Sequence, residues 1–429
     1  MKIAIYTLGC KVNQYETQAM EQALRSRGHE IVDFSGQADA YVVNSCSVTA
    51  VSDRKSRQAL HRIRREHPDA VLALCGCYSQ THPEEAERLG VDLVSGTGDR
   101  TGFLSLLEQA VAKRRRVVSI DRALDRRTFE ILPAGGLETR TRAMLKVEDG
   151  CVNFCSYCII PYARGPVRSL PPDKAAEQAA GLAAAGYREI VLTGIEISSW
   201  GKDLKNGLGL IDLVESVCRA APGVRIRLGS LEPRTVTEAF CRRCAALPDV
   251  CPQFHLSLQS GCDETLRRMN RKYDTARYLE SVELLNRHFD RPALTTDLIT
   301  GFPGETEEEF AKTLEFIRRC GFARMHIFPY SVRPGTPAAG MEQVPKSVKA
   351  ERAGRAAEAA EGMRAVYLRG CVGQTYPVLF EQPKDGKYLG RAPNYMEVLA
   401  AGENLHNIIK NVHIIGTNGD ALLGELTED

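Results

Sequence analysis

Three cysteines stand close together in the middle of the sequence, in the run Gly150-Cys151-Val152-Asn153-Phe154-Cys155-Ser156-Tyr157-Cys158. The run follows a predicted strand at residues 143–147, so the three thiols lie on a loop rather than on one helix face. Three thiolates can hold three irons of a [4Fe–4S] cube and leave the fourth iron open. An open coordination position separates a catalytic metal site from a closed structural one. The run therefore predicts a catalytic iron–sulfur cluster.

The chain contains 14 cysteines among 429 residues. Residues 1–6 are typical of a strand rather than of a signal peptide, and no apolar run is long enough to cross a membrane. We therefore expect a cytoplasmic protein with no membrane partner, whose cysteines serve metal or redox chemistry rather than disulfides. The net charge of +2 does not indicate a nucleic-acid partner, so any RNA surface must come from local clusters.

Seven further cysteines are scattered along the chain and suit small buried hydrophobic positions. Two of them, Cys241 and Cys244, have C-x-x-C spacing on a predicted helix, but no second pair completes a zinc site. A structural role is therefore favoured for this pair over metal binding. The seven are Cys218, Cys241, Cys244, Cys251, Cys262, Cys320 and Cys371.

The N-terminal third alternates strand-like and helix-like segments, which is typical of a doubly wound parallel sheet. Strands are predicted at residues 3–8, 40–45, 70–74 and 91–94, and helices at 16–27, 52–66, 83–89 and 102–112. Cys10, Cys46 and Cys77 each follow one of the first three strands. Because parallel strands end at one edge of the sheet, we expect these thiols to converge there. They suit an iron–sulfur cluster or zinc, with three structural thiols as the alternative, while Cys75 is expected to point into the core.

A second alternation of strands and helices runs from about residue 143 to residue 330. Strands are predicted at residues 143–147, 189–193, 224–228, 253–258, 293–299 and 324–329. Repeated βα units predict a TIM-like barrel, partial because only about six strands are evident, with its functional residues at the carboxyl ends of the strands. Glu196, Ser257 and Gln259 lie at such ends and can hydrogen-bond a ribose or an amino-acid group.

The C-terminal part changes character after residue 330. A charged, alanine-rich helix at residues 344–367 precedes short β-like runs at 376–380, 388–391, 395–399 and 411–416, which predict a small β-barrel. Lys387, Tyr388, Arg391 and Tyr395 are of the basic and aromatic types that hold RNA, with a structural cap as the alternative. The α/β chain therefore divides into three predicted domains, at residues 1–135, 136–370 and 371–429.

The whole sequence resembles the radical-SAM methylthiotransferase family. Its cysteine loop is the signature of the radical-SAM superfamily, and Tyr157 matches an aromatic position that packs near the adenine of S-adenosylmethionine (SAM). It is most similar to the enzymes that convert threonylcarbamoyladenosine, beside the tRNA anticodon, to its 2-methylthio derivative. The other matching motifs are Thr7-Leu-Gly-Cys-Lys-Val-Asn-Gln-Tyr-Glu-Thr17, Asn44-Ser-Cys-Ser-Val48, Gly76-Cys-Tyr-Ser-Gln80, Ile159-Ile-Pro-Tyr-Ala-Arg-Gly-Pro-Val-Arg-Ser169, Thr336-Pro-Ala-Ala-Gly-Met341 and Gly390-Arg-Ala-Pro-Asn-Tyr395.

This resemblance implies two [4Fe–4S] clusters and SAM as cofactors, and a C-terminal domain of the RNA-binding TRAM type. The family pattern Gly-Cys selects Cys77 over Cys75, since Gly76 precedes Cys77. The cysteines assigned as catalytic metal ligands are Cys151, Cys155 and Cys158 for the radical cluster, and Cys10, Cys46 and Cys77 for the auxiliary cluster. The predicted cofactor-binding residues are Tyr157, Glu196, Ser257 and Gln259.

The implied partners are the tRNA anticodon loop, an electron donor protein and a sulfur donor. One SAM would supply a methyl group, and a second would be cleaved to a radical that removes hydrogen from C2 of the adenine. An unpaired loop base suits this chemistry because it can be splayed out at small cost. A set of basic residues is expected either to contact tRNA phosphates or to form a solvated helix face. The set is Arg54, Lys55, Arg57, Arg62, Arg64 and Arg65.

Three other functions stay open at this level. The first is a methylthiotransferase for a ribosomal-protein aspartate, with the same domains and cofactors. The second is a non-catalytic zinc or iron–sulfur protein that binds RNA. The third is a radical-SAM enzyme with one cluster, in which the N-terminal cysteines are structural.

Overall fold

Six parallel strands form the N-terminal sheet of the computed structural model, which describes residues 1–136 and 141–427. The strands are β1 (Lys2–Thr7), β2 (Glu30–Val32), β3 (Ala40–Ser45), β4 (Val71–Gly76), β5 (Leu93–Ser95) and β6 (Val117–Ser119). Their spatial order is β2-β1-β3-β4-β5-β6, and every neighbouring pair is parallel. The predicted doubly wound sheet is therefore confirmed, with β2 and β6 as strands that the sequence pattern does not reveal.

Helices cover both faces of this sheet. They are α1 (Lys11–Ser26), α2 (Ala50–Glu66), α3 (Cys77–Thr81), α4 (Pro83–Arg88) and α5 (Arg100–Lys113). The strands β3 and β4 are buried at every residue, as expected for parallel strands that are covered on both sides. One hydrophobic core joins α1 and α5 to the sheet, and a second core joins α2 and α4 to its other face.

The central part is a six-stranded partial barrel, as the sequence predicts. Its strands are β7 (Arg142–Lys146), β8 (Glu148–Asp149), β9 (Arg168–Ser169), β10 (Glu189–Thr193), β11 (Arg225–Leu228), β12 (Ser230–Leu231), β13 (Gln253–Leu256), β14 (Ala293–Thr300) and β15 (Arg324–Pro329). Two parallel sheets form the barrel wall, β11-β10-β7 and β12-β13-β14-β15. Only Gly229 separates β11 from β12, so these two strands occupy one position in the wall, while β8 and β9 pair apart from it.

The helices of the barrel form its outer layer around one large core that includes Trp200, Phe254 and Phe310. The short helix α6 (Ile160–Arg164) instead packs against α3 of the N-terminal domain. The outer helices are α7 (Pro172–Ala184), α8 (Leu210–Ala220), α9 (Glu238–Ala245), α10 (Asp263–Arg268), α11 (Thr275–His288), α12 (Glu307–Cys320) and α13 (Lys346–Cys371). Cys241 and Cys244 belong to this core, in agreement with the structural role favoured for them. No helix within residues 1–136 and 141–427 is both long enough and apolar enough to span a membrane.

A closed five-stranded barrel ends the described chain. Its strands are β16 (Thr375–Lys384), β17 (Lys387–Arg391), β18 (Glu397–Ala400), β19 (Ile409–Asn418) and β20 (Ala421–Leu426), in the spatial order β16-β17-β18-β20-β19. The predicted small barrel is confirmed, and β20 is a strand that the sequence pattern misses. Residues 137–140 and 428–429, which fall in the predicted second and third domains, lie outside the described residues.

Candidate active site

The three N-terminal cysteines meet at one edge of the first sheet. Cys10 follows β1, Cys46 follows β3, and Cys77 opens α3 after β4. The strand order changes direction between β1 and β3, which is where open parallel sheets bind ligands. Gly9 has a φ of +107°, and a Cβ there would lie 2.9 Å from the Cys46 Sγ, so this turn needs glycine to pass the thiol. Burial raises the pKa of both Cys46 and Cys77, and the Cys10 thiol raises each of them further. The three thiols therefore lie close to one another.

Cys75 does not belong to this group. It lies inside β4 with none of its surface exposed, and its thiol contacts the Asn44 side chain at 3.9 Å. Arg164 acts on both Cys75 and Cys77, but only Cys77 is also influenced by the Cys46 and Cys10 thiols. Cys75 therefore points into the core of the sheet, as expected, while the role of Cys77 as a cluster ligand stays a prediction.

The second cysteine triad lies on the loop after β8. Gly150 has a φ of +92°, and a Cβ there would lie 2.0 Å from the Pro166 carbonyl oxygen, so the loop can start only from glycine. The Cys151 amide donates to the Gly165 carbonyl at 2.9 Å. The Ser156 amide and hydroxyl donate to the carbonyls after α10, at 3.0 and 2.7 Å, which fastens the middle of the loop to the barrel.

The donor chemistry of both triads fits iron–sulfur clusters. Burial raises the pKa of Cys77, Cys151 and Cys158 to about 12, and binding of a metal would displace the proton from each thiol. In the described part of the chain, no three His, Cys, Asp or Glu side chains are arranged to hold a single metal ion. All six donors are thiol sulfurs, which are the ligands that iron–sulfur clusters prefer.

A buried cluster of charges connects the two triads. Glu16 of α1 accepts hydrogen bonds from Arg100, Lys146 and Arg164, and each of the four side chains is at most 3% exposed. Burial alone would raise the pKa of Glu16, but these three cations lower it well below its ordinary value. The positive charge of Arg164 also acts on the Cys77 thiol and lowers its pKa against the larger effect of burial, although Arg164 lies on α6, directly after the loop of the second triad.

Two family descriptions match parts of the sequence. Residues 145–317 match the Radical SAM superfamily, and residues 2–96 match the Uncharacterized protein family UPF0004. The Bacillus subtilis (strain 168) protein named Threonylcarbamoyladenosine tRNA methylthiotransferase MtaB is 39% identical over 96% of this chain and 93% of its own length. The chain belongs to the radical-SAM methylthiotransferase family. This membership confirms that it is an enzyme, with two [4Fe–4S] clusters and SAM as its cofactors.

Other members of the family are similarly close. The Thermotoga maritima protein of the same name is 38% identical and matches 88% of this chain and 86% of its own. The Pelotomaculum thermopropionicum protein named tRNA-2-methylthio-N(6)-dimethylallyladenosine synthase is 33% identical over 94% and 92% of the two chains. The radical S-adenosylmethionine methyltransferase TsrM from Kitasatospora setae shares the fold, with a TM-score of 0.56 at 18% identity over 79% and 77% of the chains.

The residues predicted to bind SAM surround the loop of this methylthiotransferase. The Tyr157 ring packs edge-on against Phe302, with the ring centroids 6.4 Å apart. The carboxylate of Glu196 lies within electrostatic reach of Cys151, and burial raises its pKa. Ser257 presents its carbonyl to Tyr273, and Gln259 adopts a φ of +68° after β13. Their roles in binding SAM stay predictions.

Arg271 is a site residue that the sequence pattern does not reveal. Its guanidinium donates to the Cys155 sulfur at 3.2 Å and to the Tyr157 hydroxyl at 3.5 Å. It also donates to the Ser257 carbonyl at 3.4 Å, so it connects the cysteine loop to the end of a barrel strand. Arg271 could have been suspected only from its position, because it follows Arg268 and Met269, whose carbonyls accept the hydrogen bonds from Ser156 of the cysteine loop.

The residues expected to contact RNA differ in exposure and in partners. On α2, Arg54 and Lys55 are exposed. The four arginines that follow them make ion pairs: Arg57 with Glu85 at 3.9 Å, Arg62 and Arg65 with Glu66 at 3.9 and 3.2 Å, and Arg64 with Asp92 at 2.7 Å. In the C-terminal barrel, Lys387 is exposed and Tyr388 packs against Phe380. Arg391 pairs with Glu397 at 3.0 Å, and Tyr395 turns towards the central barrel. Contact of these residues with RNA stays a prediction.

Proposed function

We propose that this methylthiotransferase adds a methylthio group to C2 of threonylcarbamoyladenosine, next to the anticodon of tRNA. The observation that carries the proposal is the 39% identity to the Bacillus subtilis MtaB protein over 96% of this chain. The presence of two cysteine triads in this chain supports it, because the reaction needs both a radical source and a sulfur-carrying centre. A non-catalytic RNA-binding protein does not account for family membership.

The proposal gives each triad one role. Cys151, Cys155 and Cys158 hold the radical cluster, and Cys10, Cys46 and Cys77 hold the auxiliary cluster. When bound, the clusters supply the electron that cleaves SAM and the site from which sulfur is delivered. The protein itself positions these centres, through the Glu16–Arg164 contact between the domains and through Arg271 behind Cys155.

The side chains around the loop would orient SAM and exclude water. Tyr157 offers an aromatic face, and the raised pKa of Glu196 shows a carboxyl group with little water around it. Glu196 also leaves one carboxylate oxygen without a hydrogen-bond partner among the described residues, so this oxygen is available to an amino group.

The tRNA would present its anticodon loop to the mouth between the first sheet and the central barrel. An unpaired base can be splayed out there at small cost, whereas a base in a duplex cannot. The exposed cations of α2 would contact backbone phosphates, so binding should weaken as salt rises. An electron donor protein, a sulfur donor and a cytoplasmic location complete the proposal.

The test is anaerobic reconstitution, followed by incubation with SAM, a reductant and tRNA that carries threonylcarbamoyladenosine. Mass spectrometry of the nucleosides should show conversion to the 2-methylthio derivative. A matched tRNA without the threonylcarbamoyl group serves as the control and should stay unmodified. An unchanged nucleoside in the first sample, or methylthiolation of a ribosomal-protein aspartate instead, would contradict the proposal.

A further inference from the structure

A cavity of about 290 Å³ lies where the three parts of the chain meet. Lys11 of α1 lines it from the N-terminal domain. Arg142 of β7 and Arg227 of β11 line it from the central barrel, and Glu381 of β16 and Tyr395 line it from the C-terminal barrel. The cavity is therefore built by side chains from every domain, and its lining is strongly polar on one side.

Two of the three cations in this cavity already have carboxylate partners. Arg227 donates to both Glu189 oxygens, at 2.7 and 2.9 Å, and Arg142 donates to Glu381 at 2.5 Å. Lys11 is different, because it has neither an ion pair nor a hydrogen bond within the described residues, although its side chain is exposed in the cavity. The cavity thus contains one cation that, among the described residues, makes no direct contact with a carboxylate, although Glu189 acts on it at longer range.

Tyr395 adds a second unused donor to the same cavity. Its backbone has a φ of +70°, and its ring lies 4.5 Å from the Arg227 guanidinium and 5.4 Å from that of Arg142. Its hydroxyl oxygen accepts a hydrogen bond from Arg142 at 3.1 Å. The hydroxyl proton has no acceptor among the described residues, so it is free to donate to a ligand. An ammonium and a hydroxyl that both lack acceptors suit a carboxylate.

We propose that this cavity receives the carboxylate of the threonyl substituent on the substrate base, with Lys11 as its counter-ion and Tyr395 as a second donor. The inference rests on the function proposed above and makes Lys11 a specificity-determining residue. Lys11 directly follows Cys10, so one turn presents both a predicted cluster ligand and this cation. The threonyl substituent and the reacting carbon C2 belong to the same base. Two adjacent residues can therefore act on them, Lys11 on the substituent and the cluster at Cys10 on C2.

The cavity also favours one of the two adenine substituents that appear in the names of the related enzymes. A threonylcarbamoyl group carries a carboxylate, whereas the dimethylallyl group in the name of the Pelotomaculum thermopropionicum relative is a hydrocarbon. A hydrocarbon substituent would displace water from the Lys11 ammonium without offering it a hydrogen-bond acceptor, and burial of an unpaired charge costs binding free energy. The unpaired lysine therefore favours one substituent and rejects the other.

The test compares Lys11→Met with the unaltered enzyme on three anticodon stem-loops. The first loop carries threonylcarbamoyladenosine, the second carries its threonyl methyl ester, and the third carries plain adenosine. We expect Lys11→Met to raise KM and the dissociation constant for the first loop about 10- to 100-fold, with kcat changed by less than about threefold. The methyl ester should lose a similar factor with the unaltered enzyme.

Two further variants control this comparison. Lys11→Arg keeps the charge and should restore most of the affinity for the first loop, which also excludes a folding defect at this position. Lys174 is an exposed lysine of α7 that pairs with Glu177 at 2.7 Å, so Lys174→Met removes a charge far from the cavity and should leave KM unchanged.

The outcomes separate the sources of the anion. Equal weakening of the first and third loops by Lys11→Met would mean that Lys11 binds a backbone phosphate, and no weakening of either would mean that it binds no anion. Each result overturns the inference. If no loop is methylthiolated but the first still binds more tightly through Lys11, the proposed reaction fails while the binding inference stands.

Discussion

Cys151, Cys155 and Cys158 come from one loop, whereas Cys10, Cys46 and Cys77 come from the ends of three different strands. The loop triad owes its spacing to the sequence itself, and tertiary contacts only fasten it, chiefly through the Ser156 hydrogen bonds to the chain after α10. The three cysteines of the strand-end triad are far apart in the sequence. It exists only because β1, β3 and β4 pair in parallel at a fixed register.

This difference shows two ways of building the same donor set. A loop triad can form before the domain is complete, while a strand-end triad depends on the whole sheet. Arg164 joins them, because it follows the loop triad closely in sequence, hydrogen-bonds Glu16 of the first domain and acts electrostatically on the Cys77 thiol. The sheet and the barrel are thus coupled through one buried guanidinium.

The largest expected effect separates the two triads by their chemistry. Changing Cys151, Cys155 and Cys158 together to Ala should lower the formation of 5′-deoxyadenosine from SAM by about 10³-fold or more. Changing Cys10, Cys46 and Cys77 together to Ala should leave that cleavage in place and abolish only the methylthiolated nucleoside. Chromatography of the SAM products and mass spectrometry of the nucleosides measure the two effects.

Loss of SAM cleavage in the strand-end variant would contradict separate roles for the two triads. If the strand-end variant also lost SAM cleavage while keeping its fold by circular dichroism, the two triads would not act separately. Cys241→Ala serves as the matched control, since it removes a buried thiol of the barrel core and should preserve both products.

The next effect concerns the coupling between the domains. Glu16→Gln leaves Arg100, Lys146 and Arg164 buried without their shared counter-charge, which should cost about 3–5 kcal/mol of stability. Because the cations lower the pKa of Glu16, its contribution is present at neutral pH and is lost only in acid. Thermal denaturation at pH 7 should show a clear drop in the midpoint.

Glu84→Gln is the control for this variant, because Glu84 makes an exposed pair with Arg88 at 3.8 Å and should not shift the midpoint. An unchanged midpoint for Glu16→Gln would show that the buried charges do not hold the domains together.

The smallest effect distinguishes Cys77 of the strand-end triad from its neighbour Cys75, which lies outside the triad. Cys75→Ala removes only a buried thiol from β4, so it should cost about 1 kcal/mol and leave the iron content unchanged. Cys77→Ala should instead remove the iron of one cluster. Iron analysis of the two reconstituted variants makes the comparison, and loss of iron in the Cys75 variant would contradict the assignment.

Most of the fold can be predicted from the sequence, because strands such as β3, β4 and β10 are buried, largely apolar runs bounded by turns. The start of α1 cannot be predicted from the sequence. The helix begins at Lys11, five residues before the expected start at residue 16. The first turn of α1 is polar, and Cys10 offers no capping side chain. The strands β2 and β6 are only three residues long, which is too short for a pattern.

The candidate site is predictable only where its chemistry is local in sequence. The cysteine loop is visible from its spacing, and parallel strand ends suggest the other triad. The grouping of Glu16 with Arg164, or of Arg271 with Cys155, depends on packing between segments more than 100 residues apart. No local pattern reports such contacts, so they become visible only in the folded chain.

The most direct test of the two-triad account is the iron content after anaerobic reconstitution. The unaltered chain should bind about eight irons, and each triple Cys→Ala variant should keep about four. Mössbauer spectra should show the remaining four as one [4Fe–4S] cluster in either variant. An iron content of about four in the unaltered chain, unchanged when Cys10, Cys46 and Cys77 are replaced, would contradict the account.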